Sequence, residues 1–492
     1  MARRFVPLLS VLLASCGGGS DASTEAVVTV PVAMPTPAPT PVPTPTPTAT
    51  PTPGASDAST LPIESGATAI VFAASDLPVR TTAYIVGSAT HFSYAALAGY
   101  DPDSVAQRFT DSGIRAFRED LFWNALAPDW DVNGAHLPTP LTTFLGKTSA
   151  RPLYILNNGN PWIPGAAPPV GEVGQTAFAT YAKHAVAATG GRDALYEIWN
   201  EWNRNAVRDR PVLVGPGDAS DYRASLYYAP LAARATSAIK QVAPGAKVLI
   251  GAAGDDPGWQ WTLDVLARGG AAQADGVSAH IYNHCANTAN RTATEAIGRL
   301  GTLHDKVASA NGGRDLPLYV TEWGWPAGTA SCAVSAAKIA TNVPQFLLHT
   351  AALPWVAGSW YYETKDSGAD PANIQHNFGL YDANYAAKAA QCAFADASAL
   401  IAEARAMAVQ TVDGGLTVIR VTTPRGLAIV AWSAVTGRQG RVTVGGSATY
   451  TSRALCQASG AVSADRSVAV GEMPVVIDVP NVSRLGVNAR LL

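Results

Sequence analysis

Leu195-Tyr196-Glu197-Ile198-Trp199-Asn200-Glu201-Trp202-Asn203 and Leu318-Tyr319-Val320-Thr321-Glu322-Trp323-Gly324-Trp325 each carry an apolar, β-prone run into a carboxylate set among polar and aromatic side chains. Short runs of this composition, bounded by turn formers, read as buried strands. Working outward, such runs fall at residues 83–86, 114–118, 153–156, 195–199, 248–252, 276–279, 318–321 and 358–362. Between them lie segments with apolar residues at helical spacing, among them 103–112, 175–188, 222–243, 261–267, 292–310 and 333–348. Strand and helix in alternation imply a parallel sheet. Eight repeats over this length predict an α/β fold, a closed (β/α)8 TIM barrel over residues 80–395. The functional face of such a barrel is the C-terminal end of its strands, where Glu201 and Glu322 fall as the ends of strands four and seven.

After residue 390 a helical stretch leads to Val409, and short alternating runs follow at 416–421, 427–432, 441–444 and 475–479. They predict a small C-terminal β-sandwich-like domain over 396–492. Its expected role is support on the barrel's flank, because no exposed aromatic signature for sugar binding is legible in it.

The N-terminus, Met1-Ala2-Arg3-Arg4 and then an apolar stretch to Ala14, has the layout of a cleaved export signal. Leu13-Ala14-Ser15-Cys16 resembles a bacterial lipobox, which implies lipidation of Cys16 and anchoring to the cell envelope through that lipid alone. Gly17 in place of Asp resembles lipoproteins of the outer membrane; the alternative is an ordinary signal peptide with an incidental cysteine. Residues 31–53 alternate Pro with Thr and Ala, a composition that favours extended polyproline geometry. Residues 17–79 therefore read as a disordered linker, either a stalk or a spacer of no required length.

A net charge of −3 and a pI near 6.2 leave no basic stripe for nucleic acid and suit a neutral polymer. Cys285, Cys332, Cys392 and Cys456 are an even set in an exported chain and allow three pairings. The favoured one joins Cys285 to Cys332, both just after neighbouring barrel strands, and Cys392 to Cys456 across the two domains. No metal-ligand spacing competes, His280-x-Tyr282-x-His284 lacking a third ligand in sequence.

Two carboxyl groups at one barrel mouth, among aromatic rings, are the equipment for cleaving a glycosidic bond: one protonates the leaving oxygen, the other attacks or activates water. Trp199-Asn200-Glu201 ending strand four and Thr321-Glu322-Trp323 ending strand seven resemble the clan A retaining glycoside hydrolases, most closely family 39 and its bacterial relatives. The resemblance implies Glu201 as acid/base and Glu322 as nucleophile. It implies support from Arg118 on strand two, Asn200 toward the sugar 2-hydroxyl, His280 and Tyr282 on strand six, and Trp360 on strand eight. His376-Asn377-Phe378-Gly379-Leu380 resembles the closing loop of these enzymes, with Gln375 where an acidic residue is common. Trp202 departs from the proline usual after the acid/base. Physically, Arg118 and Tyr282 would favour the ionised nucleophile, while the apolar flanks of Glu201 and the charge of Glu322 are expected to raise the acid's pKa. Glu197 alternates with Trp199 and Glu201, and is expected to point into the barrel and form an ion pair.

Residues near other strand ends are the expected subsites: His91, Trp123, Asn157, Asn158 and Trp162, aromatic faces stacking on sugars and amides meeting hydroxyls. Trp259, Trp261 and Trp325 are left open between core and subsite. The expected substrate is a β-linked oligo- or polysaccharide, with no cofactor, no metal and a monomeric chain. The competing reading is a noncatalytic polysaccharide-binding surface lipoprotein; transglycosylation would share the covalent intermediate.

Overall fold

The structure is a computed structural model that describes residues 56–61, 64–94, 98–123, 137–190, 193–204, 221–460 and 464–492. The export signal, Cys16 and the whole of the 31–53 Pro-rich stretch lie outside these residues. No helix among the described residues is long and apolar enough to cross a membrane.

Eight parallel strands close into a barrel: β3 (Ile85–Ala89), β4 (Ala116–Phe122), β5 (Arg151–Asn157), β6 (Leu195–Ile198), β7 (Lys247–Gly251), β8 (Gly276–Ile281), β9 (Leu318–Trp323) and β10 (Val356–Tyr361), the last pairing with β3. Each overlaps one of the eight predicted runs, the first by only two residues, Ile85 and Val86. The helices Pro102–Ser112, Glu172–Thr189, Ser225–Val242, Gln260–Ala267, Ala293–Ala310 and Ala336–Ala351 match the six quoted segments within a few residues. Inside the barrel a layer of Ala116, Leu153, Leu195, Leu249, Tyr319 and Trp360 fills the axis. Gly87 makes room for it: a Cβ there would lie 2.2 Å from Trp360 Cδ1. Arg118, two residues beyond Ala116 on β4, stands one layer nearer the mouth.

Two five-stranded sheets form the sandwich. One is β11 (Ala406–Val412), β12 (Leu416–Thr423), β13 (Gly426–Ser433), β17 (Val475–Pro480) and β15 (Thr451–Ala454). The other joins β14 (Gly440–Val444), β16 (Ser467–Val470) and β18 (Val482–Leu491) to two strands from the opposite end of the chain. There the sequence reading is corrected. β1 (Ser56–Ala58) runs parallel to β18 and β2 (Thr68–Ala73) antiparallel to it, so this part of the 17–79 stretch is sandwich and not linker. The reason is visible in Thr68-Ala69-Ile70-Val71-Phe72-Ala73, where Ile70 and Phe72 alternate into the core and bury to 4% and 0% exposure. The expected helix to Val409 is likewise shorter: Gln391–Glu403 is helical, and Ala406–Val412 pairs with β12.

Residues 54–492 form one compact unit. Both favoured disulfides are present, with Cα separations of 4.6 Å for Cys285–Cys332 and 5.8 Å for Cys392–Cys456. The second ties the helix Gln391–Glu403 to the turn after β15, beside an Arg453–Asp396 ion pair of 2.6 Å. Lys338 and Gln345 on the helix Ala336–Ala351 reach Glu472 of the sandwich at 2.7 and 2.6 Å.

Candidate active site

Glu322 reaches the barrel interior through a break in register. With Tyr319 facing inward, strict alternation would aim Glu322 out of the barrel. However, β9 carries an extra residue against both neighbours: Ala279 and His280 of β8 pair with Val320 and Glu322, and Ser359 and Tyr361 of β10 pair with Val320 and Trp323. Such a bulge turns the following side chain to the other face. Glu201 arrives by a different device. β6 ends at Ile198, and Trp199 and Glu201 then take left-handed backbone with φ of 67° and 45°. That conformation costs roughly 1–2 kcal/mol for a residue with a side chain. It is held by Trp199 N–H donating to Leu156 O and Glu201 N–H donating to Ala252 O, both at 2.9 Å. The expectation that 199 and 201 continue the strand is therefore corrected.

The two carboxylates converge. One oxygen of each, with a ring nitrogen of His280, lies within 4.8 Å of the others. Arg118, buried beneath them, donates to Glu322 Oε1 at 2.6 Å, to Glu197 Oε2 at 2.8 Å from Nε, and to Asn200 Oδ1 at 2.8 Å. Glu197 thus forms the ion pair expected of it. Tyr282 Oη donates to Glu322 Oε2 at 2.9 Å. Arg118 Nη2 lies 3.3 Å from His280 Nε2, and a guanidinium can only donate, so in the neutral ring Nε2 is the acceptor. Nδ1 then carries the proton and donates to Glu201 Oε1 at 3.0 Å. Glu201, Glu322 and His280 could together face a cation, but the Arg118 guanidinium already occupies that role against Glu322. His284 does not join them; its ring packs on Tyr282 and Phe378.

The electrostatics of Glu201 differ from expectation. Burial pushes its pKa up, yet the hydrogen bond and charge of His280, followed by Arg204 and Arg118, bring it below the usual carboxyl value. Trp199 and Trp202 pack on each other, edge to face at 4.7 Å, and Trp202 is buried with its Nε1 donating to Tyr222 O. For His280, burial acts downward but the charges of Glu322 and Glu201 leave its pKa raised.

Several expected residues sit elsewhere. Trp360 belongs to the barrel's interior layer, fully buried, and Tyr362, two positions on, takes its place at the mouth, in edge contact with Tyr282 at 6.3 Å and His91 at 5.7 Å. Trp123 is also core, stacked on Tyr181 at 5.6 Å and edge-on to Phe178. Trp259, Trp261 and Trp325 are buried too. Trp162 is 69% exposed. His91 does stand at the mouth, 3.1 Å from Glu363. Asn157 donates to Asp120 at 3.1 Å, and Asn158, its N–H bonded to Asn157 Oδ1, has a φ of 70°. Phe378 of the closing loop packs edge-on to Tyr282 and Tyr362.

Sequence reasoning did not point to Tyr362, Glu363, Asp120 or Gly254. Asp120 and Tyr362 could have been found by stepping two residues along a strand from Arg118 and Trp360. Gly254 matters by its lack of a side chain: a Cβ there would lie 2.5 Å from Glu201 Cδ and 2.7 Å from Oε1.

No family model matches the sequence, and neither does any curated protein. Solved structures do match the fold. A family 39 glycoside hydrolase from the gut symbiont Bacteroides cellulosilyticus WH2 aligns with a TM-score of 0.63 at 20% identity, over 80% of each chain. The GH39 enzyme from Xanthomonas axonopodis pv. citri aligns at 0.52 and 14% identity, over 85% of this chain and 96% of that one. A monomeric β-xylosidase from Caulobacter crescentus CB15 aligns at 0.51 and 13%, over 84% and 97%. The chain shares its fold with these solved glycoside hydrolases.

Proposed function

We propose that this protein is a retaining glycoside hydrolase that cleaves β-linked oligo- or polysaccharide by double displacement. The observation that carries the proposal is the approach of Glu201 and Glu322, one oxygen of each lying within 4.8 Å of the other, which favours the shorter of the two carboxyl spacings known for glycosidases. Carboxyl groups about 5–5.5 Å apart leave room for direct attack and not for an intervening water, which needs about 6.5–9.5 Å. Glu322, its oxygens fixed by Arg118 and Tyr282, attacks the anomeric carbon while the bond to the leaving oxygen breaks. Glu201 gives that oxygen its proton. In the second half, Glu201 takes a proton from water, the water oxygen bonds to the anomeric carbon, and the ester to Glu322 is released.

The low pKa of free Glu201 makes its protonation the demanding step. Burial is already the largest influence on this carboxyl and acts upward. A saccharide covering the site removes more water and so favours the protonated acid. We also propose export and anchoring through a lipid on Cys16, with a cell-surface or exopolysaccharide substrate; the basic-apolar N-terminus and Leu13-Ala14-Ser15-Cys16 support it.

The test is a polysaccharide panel with wild type, Glu322→Gln and Glu201→Gln, the product anomer being read by NMR. The expected result is retained configuration in wild type and a loss of about 10³-fold or more in both variants, the scale of losing an activated catalytic group. Unchanged turnover in the variants, or an inverted product, contradicts the mechanism. Binding of a polysaccharide with no cleavage by wild type would favour a binding protein.

A further inference from the structure

The catalytic pair divides the barrel mouth, and the arc formed by β10, β3, β4 and β5 carries charges that the mechanism does not use. Arg118 and Asp120 are two residues apart on regular β4, so both face the axis, Asp120 one step nearer the mouth. Asp120 is half-buried. Asn157 donates to its Oδ1 at 3.1 Å, and among the described residues no side chain donates to Oδ2. Beside it His91 pairs with the fully buried Glu363, whose Oε2 also accepts from Tyr100 Oη at 3.1 Å. Glu363 Oε1 is buried without a hydrogen-bond partner. Glu119, also buried, is satisfied by Thr90 Oγ1 and the N–H groups of Phe92 and Ser93.

Three carboxyl groups thus meet one imidazole on this arc. Its other cations are engaged: Arg118 with Glu197, Glu322 and Asn200, and Lys365 with Asp366 O while lying over the Tyr100 ring. Burial, outweighing the pull of Arg118, raises the Asp120 pKa to about 6, a sign of how little solvent serves this group.

We propose that Asp120 is a specificity-determining residue of the saccharide site, accepting a hydrogen bond from a hydroxyl or ammonium group of the sugar, so that the enzyme takes neutral or amino sugars and rejects uronates. The proposal rests on the glycosidase reading and names the substrate class of that site. A carboxylate with an open oxygen and poor solvation gains from a donor brought by the ligand, and a ligand lacking the donor leaves it unpaired. A uronate would bring a second negative charge to a place where, among the described residues, Arg118, Lys365 and His91 already have partners.

The experiment compares wild type and Asp120→Asn on aryl β-glycosides of a neutral hexose, its 2-amino sugar and the matching uronic acid, with the corresponding oligosaccharides included. The expected wild-type kcat/KM for the neutral or amino substrate exceeds that for the uronate by about 10²-fold or more, and the variant narrows this ratio at least about tenfold. A larger loss on the amino sugar than on the neutral one identifies ammonium as the donor; equal losses identify hydroxyl. Uronate cleaved by wild type as fast as the neutral sugar overturns the proposal, and this reading does not depend on the variant folding. A ratio unmoved in a folded variant overturns it too. These outcomes require turnover, so they are distinct from failure of the glycosidase reading, in which wild type cleaves no member of the panel or of the polysaccharide set.

Discussion

Gly254→Ala is the most informative small perturbation, because it adds a single methyl group against Glu201, the proposed acid/base, and the neighbouring Arg204. The backbone there needs no positive φ, so alanine is acceptable to the chain itself. The new Cβ would stand 2.5 Å from Glu201 Cδ and 2.2 Å from Arg204 Cδ, both on side chains that can swing aside. Restoring ordinary contact at 3.4 Å moves the Glu201 carboxyl by about 0.9 Å, enough to break its 3.0 Å bond from His280 Nδ1. A misplacement of about 1 Å costs on the order of 10²-fold in rate, or about 2.7 kcal/mol in the barrier. The loss should depend on the leaving group. Aryl glycosides with a good leaving group need little proton donation in the first step, whereas natural alcohol leaving groups need it fully. The assay is kcat/KM on both substrate types, with a thermal melt to show the fold intact. The expected result is a loss of about 10²-fold on the alkyl or oligosaccharide substrate and much less on the activated one. Full activity on both, or equal losses on both, refutes the placement of Glu201 as proton donor.

Two further outcomes follow from the same geometry. Trp360→Ala should destabilise the protein by about 3–5 kcal/mol, since it empties the barrel's inner layer, and should leave KM of the folded fraction unchanged; a raised KM with an unchanged melting temperature would return Trp360 to the sugar. The pH dependence has a definite sign: the acid must be protonated and its pKa is lowered in the free protein, so kcat/KM should fall with rising pH from the acid side, while kcat, reporting the covered site, should persist to higher pH. Profiles of kcat/KM and kcat with the same alkaline limb near neutrality would contradict this.

The barrel was legible because eight buried runs punctuated by amphipathic helices have few other solutions, and the two glutamates stand out as charges ending such runs. What stayed hidden has physical reasons. Strand periodicity tells inside from outside but not height along the axis, so Trp360 reads the same whether it fills the middle layer or lines the mouth. Trp123 failed likewise, because an indole in a loop and an indole under a helix look alike in one dimension. β1 and β2 read as linker in the sequence because their partner, β18, lies at the other end of the chain. The bulge in β9 has no marker such as glycine, so the inward turn of Glu322 was right in outcome but not derivable from alternation. Asp120 and Glu363 escaped because their importance comes from what surrounds them, namely Asn157, His91 and Tyr100, which lie far apart along the chain.

The central claim is that Glu322 becomes covalently bound to the sugar. The direct measurement is to trap the intermediate with a slow 2-deoxy-2-fluoro glycoside carrying a good leaving group, digest the protein and locate the added mass by peptide sequencing. The account predicts one equivalent of fluorosugar on Glu322 in wild type and none in Glu322→Gln. A label on another residue, or inactivation of neither protein by a fluorosugar whose parent glycoside wild type cleaves, would contradict it.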